Sequence, residues 1–168
     1  TSINEIKISN IIKKIKNYQN HFSPVLKNCI TRLNQIEKVK DKLEECEAVN
    51  ISKNKYSDFI LIHIKYINGL ELEKHILNIE RPIIYIGSII KNYIYGLKSL
   101  KLLKEKKIIH YDLHTGNILY DKDKNLPIII DFGLSIEFKK LTENGKINYL
   151  NLKKSTMHYS PKHYIYPP

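Results

Sequence analysis

The chain's 168 residues and 42% hydrophobic content are enough for one sizeable buried core and argue against a disordered segment. Its net charge of +11 comes from lysines spread along helix faces and ends, such as Lys13, Lys14, Lys104, Lys106 and Lys107, without the interleaved aromatics of a nucleic-acid reader. Cys29 and Cys46 have neither metal-ligand spacing nor the density of a disulfide scaffold, which predicts a reducing compartment. No signal peptide opens the chain, and a soluble, cytoplasmic protein with no membrane partner is expected.

In chain order, residues 3–17 predict a helix, with Ile3, Ile6, Ile11 and Ile15 set among lysines and Glu5 on the polar side. Residues 25–32 and 58–67 predict strands, the second being the run from Phe59 to Ile64 that ends near the turn signal Asn68-Gly69. A charged insertion, 37–57, lies between them. A short helix is expected over 70–79. Pro82 then suits the first residue of a long helix, where its missing N–H is not needed. The stripe Ile83, Ile86, Ile90, Tyr93, Leu97 and Leu100 predicts one buried face on it, and Lys91, Asn92 and Lys98 exclude a membrane span.

Beyond Ile108-Ile109 come a polar loop, a strand at 117–120, a turn at 121–126 and an apolar strand over 127–130. The hairpin is expected to present polar groups at its strand ends. Asp121-x-Asp123-x-Asn125 begins like a calcium loop, but Leu126 and Phe132 stand where glycine and glutamate are required, so a plain turn is expected. The polar, tyrosine-rich tail from 134 to 168 predicts extended loop and short turns. The missing initiator methionine and the abrupt Tyr166-Pro167-Pro168 ending predict a piece of something longer.

The chemistry concentrates in His110-Tyr111-Asp112-Leu113-His114-Thr115-Gly116-Asn117, followed after the hairpin by Asp131-Phe132-Gly133. Phosphoryl transfer asks a protein chiefly to position an acceptor hydroxyl and to neutralise phosphate charge. Asp112 in a loop suits the acceptor's proton. Asn117 and Asp131, at neighbouring ends of a hairpin, suit hard-oxygen ligation of Mg²⁺. A single loop aspartate is ordinarily a turn residue or a cap; the joint pattern is what points to function.

This pattern resembles the protein-kinase superfamily, whose catalytic loop reads H-R-D-L-x-x-x-N and whose metal site reads D-F-G. The resemblance implies an α+β, bilobal protein kinase-like fold, incomplete, with a partial N-lobe sheet over 1–67, a hinge at 65–70 and a mainly helical C-lobe over 71–168. ATP and Mg²⁺ would bind in the cleft between the lobes. Ile64 is then the gatekeeper, the backbones of Lys65 and Ile67 meet adenine, Glu71 meets the ribose, and Leu119 floors the adenine pocket. Asp112 and Asn117 serve catalysis, Asn117 and Asp131 hold metal, and Asn4-Glu5-Ile6 resembles the helix whose glutamate pairs with a phosphate-binding lysine. For Glu5 the alternative is a carboxylate favoured at a helix start. The segment Met157–Pro161 with Tyr164–Pro168 sits where the family places its peptide-binding segment. The isoleucine, asparagine and lysine bias resembles kinases of large DNA viruses.

The departures are specific. No G-x-G-x-x-G loop is present, and the strand bearing Glu5's lysine would precede residue 1. Tyr111 replaces the arginine that holds a phosphorylated activation loop. His114 replaces a catalytic-loop lysine, so it either contacts phosphate when protonated or is a neutral loop histidine. Asp-Leu-His-x-Gly-Asn also resembles aminoglycoside and choline phosphotransferases. A protein substrate is the expectation, a small-molecule kinase and a non-catalytic pseudokinase its alternatives; no nucleic-acid partner is expected, and oligomeric state is not legible.

Overall fold

A computed structural model of the chain describes residues 2–32, 58–78 and 82–156. The charged insertion and the segment from Met157 onward lie outside the described residues. The chain divides into two compact units, Val25–Ile64 and the remainder, Thr1–Pro24 with Lys65–Pro168.

The smaller unit is a two-stranded antiparallel ladder of β1 (Val25–Arg32) and β2 (Asp58–Ile64), irregular between Val25 and Lys27. Its far end is tied by an Arg32–Asp58 ion pair of 3.0 Å. β2 stops at Ile64, three residues short of the expected strand.

The larger unit is built around α1 (Ser2–Ile12), shorter than the sequence predicts. Ile8 and Ile12 lie four residues apart and so share one face. They are fully buried against Phe22, Leu103, Ile108, Ile129 and Phe132. The chain then leaves the helix through turns, and Asn17 adopts the left-handed conformation that asparagine tolerates. Phe22 bridges to Ile129, with Ser23 N–H donating to Ile129 O and Ile129 N–H to His21 O, so the segment after α1 is fixed to the hairpin.

β3 (Gly69–Glu71), β5 (Ile118–Asp121) and β6 (Leu126–Ile129) form a three-stranded antiparallel sheet in the order β3-β5-β6. Gly69 faces Asp121, and a Cβ there would lie 2.1 Å from the Tyr120 carbonyl oxygen, so only glycine lets these strands approach. At the hairpin turn, Asp121 Oδ1 accepts from the N–H groups of Asp123 and Lys124, the local bonding an aspartate offers a turn, and Asn125 takes a positive φ of 53°. The calcium-like spacing is thus a turn.

α2 (Leu72–Leu77) follows β3 directly, since the first residues of the expected helix pair as a strand. α3 (Pro82–Glu105) begins where Pro82 predicts. Its predicted buried face is corrected by the structure: Ile86 is 52% exposed and Tyr93 68%, with Ile90 and Leu97 also exposed. The buried side chains of α3 are Asn92, Ser99 and Leu103, on another face, while Leu100 of the predicted stripe packs against the core together with Leu102. Tyr93, Leu97 and Leu100 instead line an apolar cavity of about 240 Å³ with Leu72, Ile76 and Pro127. Tyr95 stacks on His21 at 4.7 Å and donates to Asn20 O at 2.9 Å, anchoring α3 to the turns after α1.

β4 (Ile108–Ile109) pairs with β7 (Ile136–Glu137), bracketing the loop and hairpin between them. Between residues 138 and 156 the tail holds more regular structure than expected. β8 (Thr142–Glu143) and β9 (Lys146–Ile147) form a hairpin across Asn144-Gly145, both at positive φ as a tight hairpin turn requires. α4 (Tyr149–Thr156) follows, its first turn capped by Asn148 Oδ1 accepting from Asn151 N–H at 3.1 Å.

Candidate active site

The loop after β4 is held by backbone constraint at both ends. Tyr111 sits at φ 67°, uncommon for a bulky residue. A short 3-10 turn over Thr115–Asn117 delivers the chain into β5. His114 Nδ1 accepts from Gly116 N–H at 3.1 Å, so this nitrogen carries no proton. A Cβ on Gly116 would come within 2.9 Å of the imidazole Cε1, so the glycine makes room for the ring. Thr115 Oγ1 donates to Glu73 Oε2 at 2.9 Å, tying the loop to α2.

Within the loop, Asn117 Nδ2 donates to Asp112 O at 2.8 Å and to Asp112 Oδ2 at 3.3 Å. With the nitrogen turned toward Asp112, the oxygen of the Asn117 amide is left as an electron-pair donor. Asp131 stands across the hairpin: Ile118 pairs with Ile129, and Ile130 N–H donates to Asn117 O at 3.0 Å. The Asp131 backbone is left-handed at φ 57°, its Oδ1 accepts from Gly133 N–H at 3.0 Å, and the residue is exposed. Asp112, Asn117 and Asp131 are thus brought to one edge of the hairpin.

His110, 5% exposed, binds the two motif segments together. Its Nε2 lies 3.0 Å from Ile130 O, which can only accept, so Nε2 carries the proton. Ser135 Oγ donates to His110 O at 3.1 Å, and the ring packs on Phe132 at 5.1 Å. Burial holds His110 below the ordinary imidazole range, although the bond to Ile130 and the charges of Asp112 and Asp131 oppose this. Burial thus favours the neutral ring. Sequence reasoning placed His110 in the motif but gave it no task; its signal was the apolar Ile108-Ile109 before it, which carries the chain inward.

Asp112, Asn117 and Asp131 are the predicted residues the structure joins most directly. Leu119 pairs with Glu71 across β5 and β3, so the expected pocket floor and ribose contact are neighbours. The Glu71 carboxylate also pairs with Lys74 at 3.0 Å on the surface. Lys65 accepts at its carbonyl oxygen from Ser23 Oγ at 3.4 Å, and Ile67 is half-buried. Ile64 belongs to the smaller unit as the last residue of β2.

Glu5 lies on α1, half-buried, and among the described residues no lysine or arginine forms an ion pair with it. Burial pushes its carboxyl above the ordinary 4.5, and the negative charge of Asp131 pushes in the same direction. A carboxyl whose folded pKa is raised contributes most below its unfolded pKa, and that stability is lost as pH rises through the folded value. Glu5→Gln is accordingly expected to melt higher than the wild type at pH 7 without nucleotide, and to match it near pH 4. Thermal melts at the two pH values check this; a wild type at least as stable at pH 7 would contradict it.

The donor set suits magnesium. Among the described residues no three His, Cys, Asp or Glu side chains cluster as a metal cage. A cation here would rest on Asp131, the Asn117 oxygen and non-protein oxygens. Magnesium commonly binds in that manner, through one or two carboxylates while keeping waters and phosphate oxygens.

Residues 3–165 match the protein kinase domain. Over 162 residues the chain is 32% identical to the probable serine/threonine-protein kinase fnkB of Dictyostelium discoideum, which covers 88% of this chain and 30% of that protein. The dual specificity protein kinase zakA of the same organism is 37% identical over 117 residues, 66% of this chain and 14% of its own. The probable inactive serine/threonine-protein kinase samkD, also from Dictyostelium discoideum, is 39% identical over 74 residues, 44% of this chain and 13% of its own. The chain spans less than a third of the length of these relatives, and none of the three is viral. Because the domain match takes in nearly the whole sequence, including both segments that the hairpin joins, the chain belongs to the protein kinase domain family.

Proposed function

We propose that the chain forms part of the catalytic core of a protein kinase that transfers the γ-phosphoryl group of ATP to serine or threonine hydroxyls of a protein. The observation that carries this reading is the convergence of Asp112, Asn117 and Asp131 through the Asn117–Asp112 bonds and the hairpin register. Bound magnesium would neutralise charge on the phosphates. Asp131 and the Asn117 oxygen would hold it. Asp112 accepts the proton of the acceptor hydroxyl, and Asn117 keeps its carboxylate oriented. His114, with Nδ1 engaged by Gly116, offers Nε2–H as a neutral donor toward phosphate. Glu5 is assigned to a phosphate-binding lysine, and Ile64, Lys65, Ile67, Glu71 and Leu119 to the nucleoside.

The names of fnkB and zakA support a protein acceptor. The name of samkD keeps a non-catalytic reading in view, against which the intact Asp112, Asn117 and Asp131 stand. Calorimetry with ATP and Mg²⁺ tests the proposal first. Asp131→Ala is expected to weaken magnesium-dependent ATP binding about 100-fold, since it deletes the charged metal ligand. No binding by a folded wild-type chain would count against the reading; binding that survives the substitution would remove Asp131 as ligand.

A further inference from the structure

Asn4, one residue before Glu5, reaches from α1 across the start of the segment that follows the metal aspartate. Its Nδ2 donates to Gly133 O at 3.0 Å and to Ser135 O at 2.8 Å. Both acceptors are carbonyl oxygens, so the contact requires the amide nitrogen and admits no carboxylate in its place. Leu134 is bridged between them.

The bridged segment is itself bonded in both directions. Gly133 N–H donates to Asp131 Oδ1, Ser135 N–H to Phe132 O, and Ser135 Oγ to His110 O. A continuous path of hydrogen bonds thus runs from α1 through Asn4 to the metal aspartate on one side and to the loop bearing Asp112 on the other.

We infer that Asn4 is a positioning residue, an amide clamp that fixes the turn Asp131-Phe132-Gly133 against α1 and so holds the Asp131 carboxylate in its metal-binding orientation. The metal part of this inference rests on the proposed function; the clamp itself does not. Asn4→Asp keeps the side-chain shape but replaces both donors with acceptors facing two carbonyls. Asn4→Ala removes the side chain without adding charge near Glu5 and Asp131, and so separates loss of the clamp from electrostatic repulsion.

The test is amide hydrogen exchange on the full chain, with ATP calorimetry in EDTA and in Mg²⁺. Both variants are expected to speed exchange of the Gly133 and Ser135 amides about tenfold, the loss of two ordinary hydrogen bonds, while exchange in β5 and β6 stays at the wild-type rate. ATP affinity in EDTA should be unchanged and the gain on adding Mg²⁺ should shrink about tenfold. Unaltered exchange at 133–135, or acceleration spread equally through β5 and β6, would overturn the clamp. Selective acceleration with the full magnesium gain retained would overturn its positioning role. A wild type that binds no ATP would be a failure of the proposed function, and exchange would still decide the clamp.

Discussion

Asp112→Asn is expected to lower kcat by about 10²–10⁴-fold, the range that a positioned general base contributes, while leaving Mg²⁺-dependent ATP affinity close to the wild type. The substitution isolates the proton-accepting role because the surroundings can accommodate it. The shorter bond from Asn117 goes to the Asp112 backbone carbonyl at 2.8 Å and does not depend on the side chain. The longer one, to Oδ2 at 3.3 Å, can be accepted by an amide oxygen in the same place. What is lost is the negative charge and the basic lone pair. Steady-state kinetics with a protein acceptor, paired with calorimetry, checks this. A kcat within about threefold of the wild type would remove Asp112 as the base, since even the weakest such contribution is larger.

Phe132→Ala is expected to destabilise the larger unit by about 3–5 kcal/mol, the usual cost of deleting a buried aromatic ring. The ring is fully buried between Ile8 and Ile12 of α1, Leu103 of α3 and Ile129 of β6. It meets Phe22 edge-on, with centroids 6.0 Å apart at 73°, and packs on His110. No single element can close the space by itself, so a cavity should remain. Domains are stable by only about 5–15 kcal/mol, so the loss would reach a large share of the total. Urea denaturation of wild type and variant gives the difference; a loss under about 1 kcal/mol would show that the site collapses around the missing ring.

The fold was legible where chemistry and periodicity agreed. Pro82 marked the start of α3, and the apolar runs gave β1, β2 and the β5–β6 hairpin nearly in place. That Asp112, Asn117 and Asp131 would be neighbours was legible because they are fixed by local spacing and one short hairpin. The stripe on α3 misled because a 3.6-residue period shows that a helix has an apolar face, without showing which neighbour covers it. Here the buried side chains are Asn92, Ser99 and Leu103, and of the stripe Leu100 packs against the core. α4 and the β8–β9 hairpin were missed because their signals are a single cap, Asn148, and the turn pair Asn144-Gly145, flanked by too few apolar residues to form a pattern. The contacts of Asn4 were beyond reach for another reason. Asn4 bonds to residues 129 and 131 positions away, and no local rule encodes such a separation.

The left-handed backbone of Asp131 would give any evolutionary decay of this domain a direction. At φ 57° most L-residues lose about 1–2 kcal/mol, whereas glycine and, to a lesser degree, asparagine are tolerated. In a lineage released from catalysis, drift at this position should therefore settle on asparagine or glycine before any branched or bulky residue. Phe132, held by the core, should outlast it. A descendant reading Asn-Phe-Gly or Gly-Phe-Gly would keep its architecture while losing the carboxylate proposed to hold magnesium.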